Sequence, residues 1–473
     1  MNETQHENLH ELLRTSAADL AMTMPGATLL PNHAEYETKH GVWNAAVEDR
    51  PAILIRCLNA TDVVAALAYA RNHALTVAVR SGGHSPAGYG TCHAGVVIDL
   101  SGMKELEVDA LNQTARIEPG LNWGELSGAL HEYGLALTAG DTASVGVGGL
   151  ALGGGIGWFA GKYGLTIDRL RAVELVTSDG QIIRASHDEH AELFWGLRGG
   201  GGNFGIATAF EFDLHPGGAI FGGAVFYDAE NAGKVLHEYA RLALQVPDEL
   251  TTQVLVMPAP PAPFIPPQMH GKPVLAILMC YCGDLAEGER VVTPLRKLAH
   301  PVADLMGPMP YPMLLNLADA GTIRGLRHAN RTTFLDAVDE SLADALIEAI
   351  HANMSPGLLV QLRVLAGAAT RVGADETAFA HREKPFLLML ENFCTTATDD
   401  VLCQIANNNI WDAIGADSSS TYVNFLGVQE TDRVRDAYPA STYARLAALK
   451  HQYDPHNIFS RNSNIAPSAN YEA

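Results

Sequence analysis

Seven glycines fall within the fifteen residues from Ser144 to Trp158, SVGVGGLALGGGIGW, and no charged side chain interrupts them. A segment so poor in side-chain bulk is not ordinary core; its use lies in how closely backbone can approach a ligand or other backbone. Upstream stands a second small-sided turn, RSGGHS, Arg80 to Ser85, with one histidine, His84, set into it. Backbone N–H groups in such turns form anion-binding concavities. Two loops of this kind in one chain point to a long phosphate-bearing ligand lying along bare backbone, with His84 in reach of it. A histidine in a loop that can approach a ligand is a candidate nucleophile. Gly155-Ile-Gly157-Trp-Phe-Ala160 also fits G-x-G-x-x-A, with Glu174 nineteen residues on. That fingerprint has to follow an apolar strand and open a helix. Here glycines precede it and Lys162-Tyr163-Gly164 interrupts any helix, so a Rossmann loop is disfavoured.

At 473 residues the chain exceeds the size at which single cores stop growing, which predicts two domains. Its 31 basic against 53 acidic residues leave a net charge of −22, a surface that repels nucleic acid and anionic membranes. The opening MNETQHENLHELLRTSAADLAM lacks the basic and apolar blocks of a secretory signal. No apolar run reaches the ~18 residues of a membrane span. The six cysteines include C-x-C but no C-x-x-C, against a zinc ribbon or redox dithiol. Free thiols in a reducing cytoplasm, and no metal site, are the expectation.

From Ala52 the pattern reads strand (AILIRCL), a helix opened at Asn59, then TVAVR running into RSGGHS: a β-α-β unit ending at the small-sided turn. GVVIDL and the stretch to Gly120 predict further strands, WGELSGALHEYGLAL a helix, and ELVTSDGQIIRA a hairpin turning at Asp179-Gly180. A helix, a four-glycine turn at Gly199 to Gly202 and a long strand follow. The prolines from Pro258 to Pro267 exclude helix and central strand, and predict a wide loop between neighbouring strands TTQVLVM and PVLAILMCYC. Helices are expected over Glu287–His300 and Val338–Met354, strands over LLVQLRVLAG and FLLMLENFC, and a final helix stopped by Asp454-Pro455. The fold class is α+β, with residues 1–216 as a cofactor domain, 217–424 as an α+β substrate domain with an antiparallel sheet, and 425–473 returning to the first.

RSGGHS after a β-α-β unit, GVVIDLSGM, SVGVGGLALGGGIGW, LRGGGGNFGI and YDPHNIFSRNSNI occur in an order that resembles berberine-bridge-enzyme-like flavoproteins of the vanillyl-alcohol-oxidase or PCMH-type superfamily, its bacterial members above all. The match runs from Thr28 to Ile465. The resemblance implies a PCMH-type FAD-binding domain in which the backbone of Arg80, Ser81, Gly82, Gly83, His84 and Ser85 holds the diphosphate and His84 carries the flavin covalently. It implies further that Val145, Gly146, Gly148, Gly149 and Gly153 line the cofactor from one segment. Gly205 and Ile206 line it from another, and Asn462 and Asn464 from the C-terminal NSNI. Thr142 stands where bicovalent members place a cysteine, so a single link is implied; Cys92 is a poor substitute.

For substrate chemistry the resemblance offers two proton acceptors, Glu376 in ETAFAHR and Tyr422 in TYVNF, with Asn424 as an orienting group. A solvated turn carboxylate and a core tyrosine are the structural alternatives. Tyr422 is preferred as the base, and His381 and Arg382 are assigned to structure. The function implied is oxidation of a small-molecule alcohol, sugar or amine, with electrons passing to FAD and then to dioxygen. A dehydrogenase using another acceptor and a non-catalytic flavin-binding protein are the alternatives.

Overall fold

A computed structural model of the chain describes residues 24, 28–229, 232–319, 324–416 and 419–468. Among the described residues, three large sheets and a two-stranded one, Leu135–Ala136 with His215–Pro216, carry the architecture, and the candidate site lies where the inner faces of the large sheets meet. The first holds strands Thr28–Leu29, Ile53–Arg56, Val96–Asp99 and Val77–Arg80 in that order, the last three parallel. The expected β-α-β unit is present, with a difference: Val96–Asp99 sits between its two strands. Helix Ala60–Asn72 makes the crossover, and the Asn59 side chain caps it by accepting from Asp62 N–H. Buried Val63, Ala66, Leu67 and Ala70 hold it against the sheet.

The second sheet is antiparallel and has five strands, in the order Leu106–Asp109, Thr114–Ile117, Ile206–Asp213, Leu170–Val176 and Ile182–Ser186. Its hairpin turns at Gly180, whose φ of +89° suits glycine. Helix Trp123–Glu132 is closed by a reciprocal capping box of Asn122 and Glu125. The glycine-rich segment departs from expectation. Val147–Gly153 is a short helix, and Val147, Gly148, Ala151, Leu152 and Gly153 are buried in it. Small side chains here serve close helix packing as well as the approach of a ligand.

The third sheet has eight strands, antiparallel at every pairing. Leu250–Pro258 and Pro273–Tyr281 are neighbours joined by the proline-rich loop, as the sequence predicts. Strands Ala219–Asp228 and Arg327–Leu335 were not legible, because glycine breaks the first and polar residues fill the second. The two predicted helices are shorter, Leu285–Arg296 and Glu340–Ala352, each started by an aspartate cap, Asp284 and Asp339. Val254, Val256, Ile277, Val360, Leu362 and Leu388 turn to one face, packed with the helices. Their alternates turn to the other face, towards the two smaller sheets. Helix Ala440–Tyr453 ends at Asp454, where Lys450 Nζ donates to Asp454, Asn203 O and Phe459 O at 2.7–2.9 Å with both side chains fully buried. That pair ties the C-terminal segment to the four-glycine turn. Among the described residues no helix is long and apolar enough to cross a membrane, and the six cysteines are free.

Candidate active site

Residues 80–86 and 145–149 meet through their backbones. A Cβ placed on Gly82 would lie 2.4 Å from Gly146 N, and one on Gly146 would lie 2.3 Å from Gly82 N. These two glycines are therefore required for loop-to-loop packing. Ser81 adds to the junction, its Oγ donating to Pro119 O and accepting from Gly148 N–H. Gly149, Gly201 and Gly202 differ: nothing in the protein comes within 4 Å of an added Cβ. They border open space.

That space is a cavity of about 670 Å³, within the range of cofactor and ligand sites. Arg80 to Ser85, Thr142, Val145, Gly146, Gly148 and Gly149 form one side. Gly205, Ile206 and Asn462 border it further along, and Tyr422 and Asn424 enter from the C-terminal part. The large sheet closes it with its inner face. The Arg80 guanidinium pairs with Asp99 at 3.1 Å, and Arg461 pairs with Asp49 at 2.7 Å. With those cations engaged, backbone N–H groups are the donors left for an anionic ligand on the glycine side. Asn462 donates to Gly202 O and Phe459 O, leaving Oδ1 buried without a partner. A long ligand with phosphates at bare backbone and polar ring edges fits this donor and acceptor set. His84 faces the cavity and stacks on Trp43 at 5.4 Å, which stacks on His328 at 3.7 Å.

Tyr422 is buried at the cavity wall, and its Oη accepts from Gly155 N–H and Asn424 Nδ2, both at 2.8 Å. Burial pushes its phenol up to about 12, while these two donors and the Arg363 charge pull the other way. Gly154, at φ +146°, passes the Tyr422 hydroxyl so closely that a Cβ would sit 3.0 Å from it.

Three expected site residues lie elsewhere. Glu376 is exposed and outside the cavity; its carboxylate accepts from Gly373 N–H at 3.0 Å, closing a surface turn. The solvated-turn alternative describes it. Gly153 faces Asn424, where a Cβ would meet Oδ1 at 2.1 Å, and serves packing. Asn464 is not part of the lining, although Asn462 and Ser463 are. His381 donates to Asp436 O, and Arg382 pairs with Asp168 at 2.6 Å. Cys92 packs with Tyr36 and Leu54, away from the cavity.

The sequence reading missed the sheet's contribution. Gln253, Asn330, Gln361, Arg363 and Glu391 turn their side chains to the cavity. Gln253, Gln361, Arg363 and Glu391 interrupt strands with buried apolar residues beside them, and that interruption was the available signal; Asn330, in the polar strand Arg327–Leu335, gave none. Arg363 reaches across to Asp141, beside Thr142, at 2.7 Å. Next to this polar row the wall is apolar, with Leu255, Met257, Phe226, Phe264 and Leu278.

Comparison with known proteins agrees with this geometry. Residues 51–186 match the FAD binding domain family, and residues 421–466 the family described as berberine and berberine like. The chain is 28% identical over 465 residues to (R)-6-hydroxynicotine oxidase of Paenarthrobacter nicotinovorans, covering 94% of this chain and 98% of the relative. It is 26% identical to chitooligosaccharide oxidase of Gibberella zeae, covering 90% and 89%. The crystal structure of 6-hydroxy-D-nicotine oxidase from Arthrobacter nicotinovorans superposes with a TM-score of 0.83 at 28% identity, over 94% of this chain and 98% of that one. With both halves of the cofactor side and the fold accounted for, the chain belongs to the berberine-bridge-enzyme-like group of FAD-linked oxidoreductases.

Proposed function

We propose that this chain is an oxidase that carries its FAD on one covalent bond through His84. Its substrate is a small molecule oxidised between the glycine loops and the large sheet. The observation that carries the reading is the convergence of His84, the open glycines, Asn462 and Tyr422 on one cavity. Backbone N–H groups of Arg80 to Ser85, with Gly201 and Gly202, would hold the phosphates, and Asn462 and Gly205 the remainder. Thr142 faces the same space with a hydroxyl that donates to Asp141, so it offers no second thioether anchor. Bound FAD supplies a two-electron acceptor for substrate C–H oxidation.

Tyr422 takes up the substrate proton at Oη. Its two hydrogen-bond donors favour the phenolate, and Arg363 adds positive charge. Asn424 holds the ring's hydroxyl in place and is itself anchored to Leu150 O. The apolar wall from Leu255 to Phe264 excludes water and suits a compact body better than an oligosaccharide. Val145 lines the cavity beside Gly146, and its short side chain leaves dioxygen a path. Val145→Leu is expected to slow reoxidation and spare reduction. Acid denaturation tests the attachment: yellow colour should stay with the wild-type polypeptide and be lost from His84→Ala. Complete release from the wild type would refute it. Hydrogen peroxide production in a substrate screen tests the oxidase assignment, and turnover with an artificial acceptor alone would make the chain a dehydrogenase.

A further inference from the structure

Residues 43–46 join two regions far apart in the chain. Trp43 N–H donates to Gly83 O at 2.9 Å, and Asn44 Nδ2 donates to Pro86 O at 2.7 Å. Those two carbonyls flank His84. On the other side, Asn44 Nδ2 donates to His328 O at 3.2 Å, and its Oδ1 accepts from His328 N–H at 2.9 Å. Ala45 N–H donates to Leu326 O at 2.9 Å. The segment therefore staples the His84 loop to the start of strand Arg327–Leu335 in the large sheet.

Asn44 is fully buried, and its Oδ1 also accepts from Ala46 N–H at 2.9 Å. Both donor and both acceptor positions of the amide are then in use. A side chain so committed fixes the spacing between loop and sheet.

Trp43 does for the imidazole what Asn44 does for the backbone. Its ring stacks on His84 at 5.4 Å with the planes 23° apart, and on His328 at 3.7 Å. His328 is held in turn, its Nδ1 3.0 Å from Glu391 Oε1 and its ring 5.2 Å from that of Phe393. His84 needs such support. It sits half-buried in a stretch without helix or strand, and the two residues before it, Gly82 and Gly83, have no side chains to lean on. An imidazole attacks through a lone pair in its ring plane, so bond formation demands one ring orientation.

We infer that Trp43 and Asn44 are the positioning residues of flavin attachment, setting the His84 ring plane and making the bond depend on the large sheet being docked on the loop. This rests on the covalent-FAD reading above and concerns how that same bond is made. In the step, an imidazole nitrogen bonds to the 8α-methyl carbon of the flavin. The imidazole N–H and one methyl C–H break, and the two protons and two electrons released pass to the flavin ring. Dioxygen then reoxidises the ring and leaves as hydrogen peroxide.

The test follows attachment in time. Full-length protein produced under riboflavin limitation is incubated with excess FAD in air. Total bound flavin is measured first, and then the flavin that stays with the polypeptide in acid. Trp43→Leu should attach flavin ~10–100-fold more slowly than wild type, with total bound flavin unchanged. Trp43→Phe, which keeps a flat ring against His84, should restore most of the rate. Asn44→Ser, which releases Pro86 O, is the second probe and should also slow attachment. A folded Trp43→Leu or Asn44→Ser protein that attaches flavin at the wild-type rate would overturn the assignment of that residue. A Trp43→Phe protein as slow as Trp43→Leu would overturn the stacking role. Loss of the fold or of total bound flavin in both probes would make the staple purely structural and overturn the inference. Wild-type flavin released in full by acid would overturn the covalent reading itself, an outcome distinct from the others.

Discussion

Replacing Gly82 by alanine adds one methyl group where two backbones already touch. The new Cβ would lie 2.4 Å from Gly146 N and 2.7 Å from Gly146 Cα, whereas unstrained contacts between such atoms sit at about 3.5 Å or more. The chains have to separate by about 1 Å, and no flexible side-chain end is available to give way. Overpacking of this kind costs roughly 1–3 kcal/mol, and the backbone location puts Gly82→Ala at the upper end. The displacement also pulls on the Ser81 Oγ link to Gly148 N–H at 3.3 Å, so the loop that carries His84 loses its register. Gly149→Ala is the control with the opposite sign. It lies within helix Val147–Gly153 and meets no protein atom within 4 Å, so the helix gains up to about 1 kcal/mol. Its methyl instead projects towards the cavity that FAD would fill. Thermal unfolding midpoints and flavin absorbance per polypeptide separate the two. Gly82→Ala should lose both stability and flavin, and Gly149→Ala should keep its fold but retain less flavin. A Gly82→Ala protein with wild-type midpoint and full flavin would refute the packing argument.

Tyr422→Phe should slow flavin reduction by ~10²–10⁴-fold, the usual worth of a general base. With burial holding the wild-type phenol at about 12, reduction should accelerate as pH rises towards that value, and Tyr422→Phe should lose the slope. The same raised value predicts a contribution to stability that is complete below pH 10.0 and lost as pH climbs through about 12, readable in urea midpoints. Lys450→Met leaves the fully buried Asp454 without its cation and should cost roughly 3–5 kcal/mol in denaturant unfolding; near wild-type stability would remove the pair from the fold's essentials. Glu376→Gln should leave the reductive half-reaction at the wild-type rate, and a collapse there would return Glu376 to the active site.

Local structure was readable wherever one short stretch decides it. Asn59 before an apolar helix, Asp179-Gly180 between two strands and the proline-rich loop after Pro258 each act within a few residues, and each element formed as its sequence predicts. That the two small-sided loops border one cavity was legible for the same reason, since a run of glycine beside a single histidine is a local signal. What each glycine is for was not. Gly82, Gly146 and Gly149 look alike in sequence, yet two are consumed by contact between distant loops and the third opens on the cavity. Glu376 and Glu391 show the same limit. The first sat in a motif but folds into a surface turn, whereas the second was hidden in an apolar strand and faces the cavity because side chains alternate across a sheet. Sequence alone determined which cofactor side this chain would build. Only the tertiary structure decided which acid reaches it, because burial and charge pairing depend on residues brought together from strands far apart in the chain.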